Sequence, residues 1–409
     1  MKRKLILTIL IVLAATSFCF ADKTINTNEP ANAVYLVFKD KPGNFTVNGV
    51  PCENDYFLQQ YIEIEPALEI KIEGATPIEC AAFDKANAPA NVHKWEEPCE
   101  KADLLLISSH ADDEQLFFAG ILPYYSQVRK YEVQVAYATD HYAEPVRHQE
   151  RLNGLWECGI RHYPVSAGYY DLYSESYDEA LRNLASYDVT EEKIIAWEKS
   201  LLKQFEPKVL ITHDVNGEYG HGMHILVNGT VQKALANAKS EFPFLQRVYF
   251  HLYDEGQVKL TWEDEAFDEL GGFTPFQVTQ QKGFECHKSQ HWTWFKRWIH
   301  GRNNEITKAE QITTYSPMDF GCYYKADSFE PVQKDDFFEG LMSYAEEAEA
   351  KRIAEEEAAK AAAEAEAEAL RIAQEEAAKK NKLRKITFIG LSLVGVVIII
   401  IAIALRRRK

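Results

Sequence analysis

Asp103-Leu104-Leu105-Leu106-Ile107-Ser108-Ser109-His110-Ala111-Asp112-Asp113-Glu114 is an apolar run that turns abruptly polar. A strand wetted on one face alternates apolar and polar residues, whereas a parallel strand covered on both faces is apolar throughout. Residues 104–107 are of the second kind. Downstream, the pattern predicts helices over 113–129, 146–158, 191–205 and 222–238. Between them it predicts strands over 133–137, near Tyr163 and over 209–212. Strands and helices taking turns predict an α/β domain with a mostly parallel sheet. Upstream, residues 22–100 carry short runs such as Leu68-Glu69-Ile70-Lys71-Ile72, broken at Pro42-Gly43 and Asn48-Gly49. They read as a small β-rich accessory module.

Parallel α/β domains bind ligands beyond the carboxyl ends of their strands. His110, Asp112 and Asp113 stand there, and a His with two carboxylates suits a hard or borderline metal. The same residues also suit a helix N-terminus, where acids favour the dipole. A second cluster follows the strand at 209–212: His213-Asp214-Val215-Asn216-Gly217-Glu218-Tyr219-Gly220-His221-Gly222-Met223-His224. His221 and His224 are three apart and share a helix face. One of them could complete a His-Asp-His metal site while the other stabilises developing charge.

In these motifs the sequence resembles the PIG-L/LmbE-like family of zinc-dependent N-acetylglucosaminyl deacetylases. His110-Ala111-Asp112-Asp113-Glu114 is similar to the family's His-Pro-Asp-Asp-Glu, and His221-Gly222-Met223-His224 to its His-Pro-Asp-His. Arg147-His148-Gln149-Glu150 looks like its Arg-x-x-Glu helix, and Lys282 to Ser289-Gln290 like its Lys…His-x-Ser-Gln element. The resemblance covers about residues 101–290 and implies a Rossmann-like, LmbE-like sheet. It implies Zn2+ held by His110, Asp113 and His224, with Asp112 as general base. His221, and Tyr219 as a further donor, would stabilise the oxyanion of an N-acetylated amino-sugar substrate, and Arg147 and Asp171 would hold sugar hydroxyls. Ala111 in place of proline is expected to loosen its turn. Gly222-Met223 in place of Pro-Asp removes a carboxylate that orients a neighbouring histidine, a loss that Asp214 or Glu218 could make good.

The 409 residues are 46% hydrophobic and 12% aromatic, enough for a large core, which excludes a wholly disordered chain or a small disulfide scaffold. Lys2, Arg3 and Lys4 precede an apolar run, so residues 1–21 read as a signal peptide. Residues 386–405 contain no charge and match the hydrocarbon thickness of a bilayer; Arg406 to Lys409 follow as a cytoplasmic basic tail. Residues 345–385, rich in Ala, Glu and Lys, read as a solvated helical stalk or a partly disordered linker between the membrane and a catalytic domain at 101–335. The expected location is therefore a cell membrane, single-pass, with the domain outside.

Residues 22–381 hold 35 basic against 62 acidic residues, a formal charge of −27, which disfavours nucleic acid. No phosphate-cradling glycine loop or Gly-x-Ser-x-Gly accompanies the motifs, so no nucleotide is expected. Six cysteines follow the leader, and Cys52, Cys80 and Cys99 lie close enough in sequence to suggest one bridge. His141, His148 and His162 read as solvent-facing or satisfied. Trp292, Trp294 and Trp298 suit either sugar stacking or core packing. A glycan-binding protein on a degenerate deacetylase scaffold is the alternative to an enzyme.

Overall fold

The computed structural model describes residues 22–253, 258–326 and 335–407. The signal-peptide reading falls on residues outside these. Two compact units divide the chain, one up to Ser343 and one from Tyr344.

In the first unit, seven strands form a mixed sheet: β6 (Leu104–Ser108), β7 (Val133–Asp140), β8 (Val165–Tyr170), β9 (Val209–Thr212), β10 (Arg247–His251), β11 (Val258–Lys259) and β12 (Asp319–Lys325). Their order is β11-β12-β10-β9-β6-β7-β8. Every pairing from β10 through β8 is parallel, and β12 closes the edge antiparallel to β10. The fold is thus mixed α/β with a largely parallel sheet. The chain runs outward from β6 to β8, then returns to the other side of β6 as β9. Strand order reverses between β6 and β9, the crevice where open α/β sheets receive ligands.

Five earlier strands form a separate antiparallel sheet of order β3-β2-β4-β1-β5, from β1 (Lys23–Val37), β2 (Thr46–Val47), β3 (Val50–Pro51), β4 (Gln59–Glu73) and β5 (Glu79–Phe83). Asn48 and Gly49, at φ 51° and 75°, make the tight β2–β3 turn. This sheet has no core to itself. Phe38, Phe57 and Ile70 belong to the same hydrophobic cluster as Leu104, Leu106 and Tyr163, and the Phe57 and Tyr163 rings stack at 4.0 Å.

Helices α1 (Asp113–Leu116), α2 (Ile121–Pro123), α3 (Val146–Glu157), α4 (Tyr177–Ala185), α5 (Glu191–Phe205), α6 (Gly222–Ala234), α7 (Ala238–Glu241), α8 (Pro275–Val278) and α9 (Trp294–His300) complete the unit. Helix α5 and strand β9 keep their expected bounds. The helix expected over 113–129 is broken instead. Both Glu263 carboxylate oxygens take the Gly120 N–H at 3.1 Å, Ala119 turns to φ 21°, and Pro123 has no N–H to give. The strand expected near Tyr163 is a single bridge, Glu96 to His162, with β8 starting two residues later.

Among the described residues no disulfide forms, and Cys52, Cys80, Cys99, Cys158 and Cys286 carry free thiols. Cys52 follows β3 and Cys80 lies on β5, the two opposite edges of the five-stranded sheet. Four strand spacings of ~4.8 Å separate those edges, far beyond disulfide reach.

The second unit is one helix, α10 (Tyr344–Arg406), of 63 residues with none buried. At ~1.5 Å per residue it runs about 95 Å. Arg352 bonds Glu349 and Glu356 along its polar half, the expected i, i+3 and i, i+4 pairing. Its remaining length is apolar enough to cross a membrane.

Candidate active site

Strand β6 ends at Ser108, and the chain turns sharply into α1, so His110, Asp112 and Asp113 all project into the crevice beside β9. The turn is strained: Asp112 has φ 123°, a conformation that L residues rarely adopt. Helix α6 opens at His221 and brings His224 across from them.

His110 Nδ1 lies 3.1 Å from Asp113 Oδ2 and 3.1 Å from His224 Nε2. His224 Nε2 lies 3.3 Å from Asp113 Oδ2. All three side chains are buried. Protonation follows from their outer partners. His224 Nδ1 donates to Glu218 Oε2 at 2.5 Å, leaving Nε2 as a lone pair. His110 Nε2 faces Asp171 Oδ1 at 3.3 Å, and in the tautomer that points its hydrogen there Nδ1 is a lone pair. Three acceptors therefore face one another at the edge length, ~3.3 Å, of a tetrahedral site with ~2.0 Å bonds. A proton on either ring or a metal ion would satisfy such a triangle, and its donor set is one that zinc accepts.

Two further triads of donor atoms overlap it, His110–His221–His224 and Asp113–His213–His224. Hydrogen bonding argues against both. His213 Nε2 accepts the Ser109 N–H at 2.8 Å, so its lone pair is already used. His221 Nδ1 accepts the Met223 N–H at 3.3 Å, which places the ring hydrogen of the neutral imidazole on Nε2. Burial, with His110 and His224 nearby, lowers the His221 pKa and keeps it neutral.

Asp112 is gripped on one oxygen only. Arg147 Nη2 donates to Oδ1 at 3.1 Å and to the Ala111 carbonyl at 2.5 Å, while Oδ2 has no partner among the described residues. Burial pushes the Asp112 carboxyl up to about 7, opposed by Arg147. Burial likewise opposes charge on Asp113, but His224 and His110 hold it well below the usual carboxylate range. The Tyr219 ring lies 5.6 Å from those of His221 and His224.

Asp171 joins the site with its side chain 30% exposed. Its Oδ2 takes His141 Nδ1 at 3.0 Å and Arg147 Nη1 at 3.4 Å. His141, read from the sequence only as satisfied or solvent-facing, is thus a buried support of this centre.

Glu218 does what the missing Pro-Asp carboxylate would do. It accepts from His213, His224 and His251, and from the Asp214 N–H. Gly217, at φ 70°, turns the chain back so that Glu218 lies beneath α6; a Cβ there would meet the His221 carbonyl at 2.6 Å. The other departures from the family motifs also have structural partners. The Ala111 N–H donates to His141 Nε2 at 3.1 Å, a bond that proline cannot make, so the turn is tied rather than loosened. The Gly222 N–H donates to the Ser174 carbonyl at 2.8 Å, and a Cβ on Gly222 would meet Ser174 Oγ at 2.4 Å.

Sequence reasoning gave no role to His213 or His251. His251 ends the apolar strand β10, the same strand-to-polar transition that marked the other two clusters. Glu114 takes the Asp112 N–H at 2.9 Å and stands 3.3 Å from His287 Nε2. Glu150 binds the Ser289 N–H and hydroxyl, joining the Arg-x-x-Glu and Ser-Gln motifs. Trp298 packs on Phe117, whereas Trp294 lies 5.4 Å from Tyr219 and Trp292 is 82% exposed.

A largely parallel sheet carries this cluster of His and Asp side chains at its switch point. Residues 105–235 match the family profile described as PIG-L, GlcNAc-PI de-N-acetylase. No curated protein matches the chain. Among solved structures, N,N'-diacetylchitobiose deacetylase from Pyrococcus horikoshii is 15% identical, with 55% of this chain and 85% of that one covered and a TM-score of 0.36. The zinc-inhibited form of teicoplanin deacetylase is 14% identical, with 55% and 99% covered and a TM-score of 0.35. A 4-carboxy-2-hydroxymuconate hydratase from Pseudomonas putida is 13% identical, with 56% and 99% covered and a TM-score of 0.35. Likenesses this distant bear on neither substrate nor chemistry.

Proposed function

We propose that this chain is a zinc-dependent hydrolase of linear amides that removes the N-acetyl group from N-acetylglucosamine-type sugars in a glycan or glycoconjugate. The observation that carries this reading is the triangle of acceptors from His110, Asp113 and His224 beside the unpartnered Oδ2 of Asp112. His110, Asp113 and His224 would hold the zinc ion, which would supply Lewis acidity toward an amide carbonyl and water.

The remaining work belongs to side chains. Asp112, steadied through Oδ1 by Arg147, offers Oδ2 to take a proton from the attacking water and pass it to the leaving amine. His221 presents Nε2–H to the carbonyl oxygen as negative charge develops, and Tyr219 is a further donor. Arg147 and the part-exposed Asp171 line the approach for sugar hydroxyls. The products are acetate and a free amino sugar, so each turnover exchanges a neutral acetamide for an ammonium group.

The leader-like residues 1–21 and the apolar end of α10 support an exported enzyme on a single span, its basic tail cytoplasmic and its substrate in the cell envelope. The reading is tested by acetate release from N-acetylglucosamine glycans by the full chain in detergent, after chelation, with and without added zinc. Zinc-dependent release supports it. Zinc and glycan binding without release would overturn it in favour of a glycan-binding protein on this scaffold.

A further inference from the structure

At the opposite end of the parallel sheet, three segments that start strands converge on one point. Cys99 precedes β6, Glu132 precedes β7 and His162 precedes β8. Their donor atoms, a sulfur, a carboxylate oxygen and a ring nitrogen, lie within 4.8 Å of one another. We propose that Cys99, Glu132 and His162 form a second metal site, zinc-selective and separate from the catalytic centre.

The hydrogen bonds supply the argument. His162 Nδ1 donates to the Glu97 carbonyl at 2.6 Å. A carbonyl only accepts, so Nδ1 keeps its hydrogen, and Nε2 is the nitrogen that can shed its proton and offer a lone pair. That nitrogen faces Glu132 Oε2 at 2.7 Å, and Cys99 is within hydrogen-bonding reach of the ring. Three electron-rich atoms thus surround a point that one proton or one cation must occupy. Thiolate, imidazole and carboxylate together are a borderline-soft set that favours zinc over magnesium or calcium.

The backbone around these residues is fixed. Cys99 N–H bonds Gln134 Oε1 at 2.9 Å, Glu132 N–H bonds Asp103 Oδ2 at 3.0 Å, and His162 is bridged to Glu96. A surface cleft of about 270 Å³ reaches Glu132 and His162 and gives an ion access. Binding is a ligand exchange without redox change: the ion displaces the proton at His162 Nε2 and that of the Cys99 thiol.

The candidate catalytic centre contains no sulfur, so a thiolate signal reports on this second site alone. The full chain is stripped by chelation and reloaded with cobalt(II). A near-ultraviolet thiolate-to-cobalt charge-transfer band is expected in the wild type, absent in Cys99→Ser and in His162→Gln. Each variant is expected to hold one metal ion fewer per chain. His224→Ala is expected to keep the band, so loss of the deacetylase reading would leave this readout intact. Absence of the band in the wild type, or its survival in Cys99→Ser, would overturn the proposal. The wild-type spectrum decides it even if a variant fails to fold.

Discussion

Glu218 and His224, six residues apart, meet through a 2.5 Å bond from Nδ1–H to Oε2 that turns the other ring nitrogen toward His110 and Asp113. The bond fixes the tautomer that a metal ligand needs. Supporting bonds of this kind are worth 10- to 100-fold in metal affinity. Glu218→Gln is expected to weaken zinc binding by about that range, measured by competition with a chromophoric chelator. Undiminished affinity would remove Glu218 from this role.

Asp112→Asn keeps the size of the side chain and its bond from Arg147 but cannot accept a proton. A fall in kcat of ~10²- to 10⁴-fold is expected, with zinc content unchanged by elemental analysis. Activity near wild type would sink the assigned mechanism.

Gly222→Pro restores the residue usual in the family motif and is expected to harm this chain. It deletes the N–H bonded to the Ser174 carbonyl and drives new atoms into Ser174. A loss of about 2 kcal/mol or more follows from the unpaired carbonyl and the overlap, seen as a lower Tm.

His93 is buried, stacked on Trp156 at 4.7 Å and bonded to Gln59 Oε1 at 2.9 Å. Burial, reinforced by Arg161, lowers its pKa to about 4. The unfolded chain then binds more protons than the folded one below about pH 6.5, so this contribution to stability is complete above 6.5 and is lost as pH falls toward 4. Tm should fall over that window in the wild type and fall less in His93→Gln. Parallel curves would assign the acid sensitivity elsewhere.

Half-exposed Trp294 lies 5.4 Å from Tyr219, and Trp292, two residues before it, is exposed. Replacing either with alanine is expected to raise KM several-fold for an oligosaccharide and leave kcat, and the KM for a single sugar, nearly unchanged. An equal effect on both substrates would assign them to packing.

What the sequence revealed was local. Leu104 to Ile107 and Val209 to Ile211 are apolar without interruption, and they became the buried strands on either side of the crevice. What it hid depends on distant partners. The break in the helix expected over 113–129 comes from Glu263, 143 positions away from Gly120. The missing disulfide follows from strand order, which puts neighbours in sequence on opposite sheet edges. The roles of His213, Glu218 and His251 depend on which ring nitrogen is already spoken for, something only the folded backbone decides. Cys99 and His162 looked unrelated because 63 residues separate them.

The left-handed backbone at Asp112 sets folding against chemistry at a single position. Strain of this kind costs about 1–3 kcal/mol in a residue with a side chain, and glycine would relieve it. An Asp112→Gly chain would shed that strain but leave the buried Arg147 guanidinium without its Oδ1 partner, so the two effects on stability oppose each other. That one change would trade a strained backbone for an unpaired buried cation, and would remove the group proposed to move a proton.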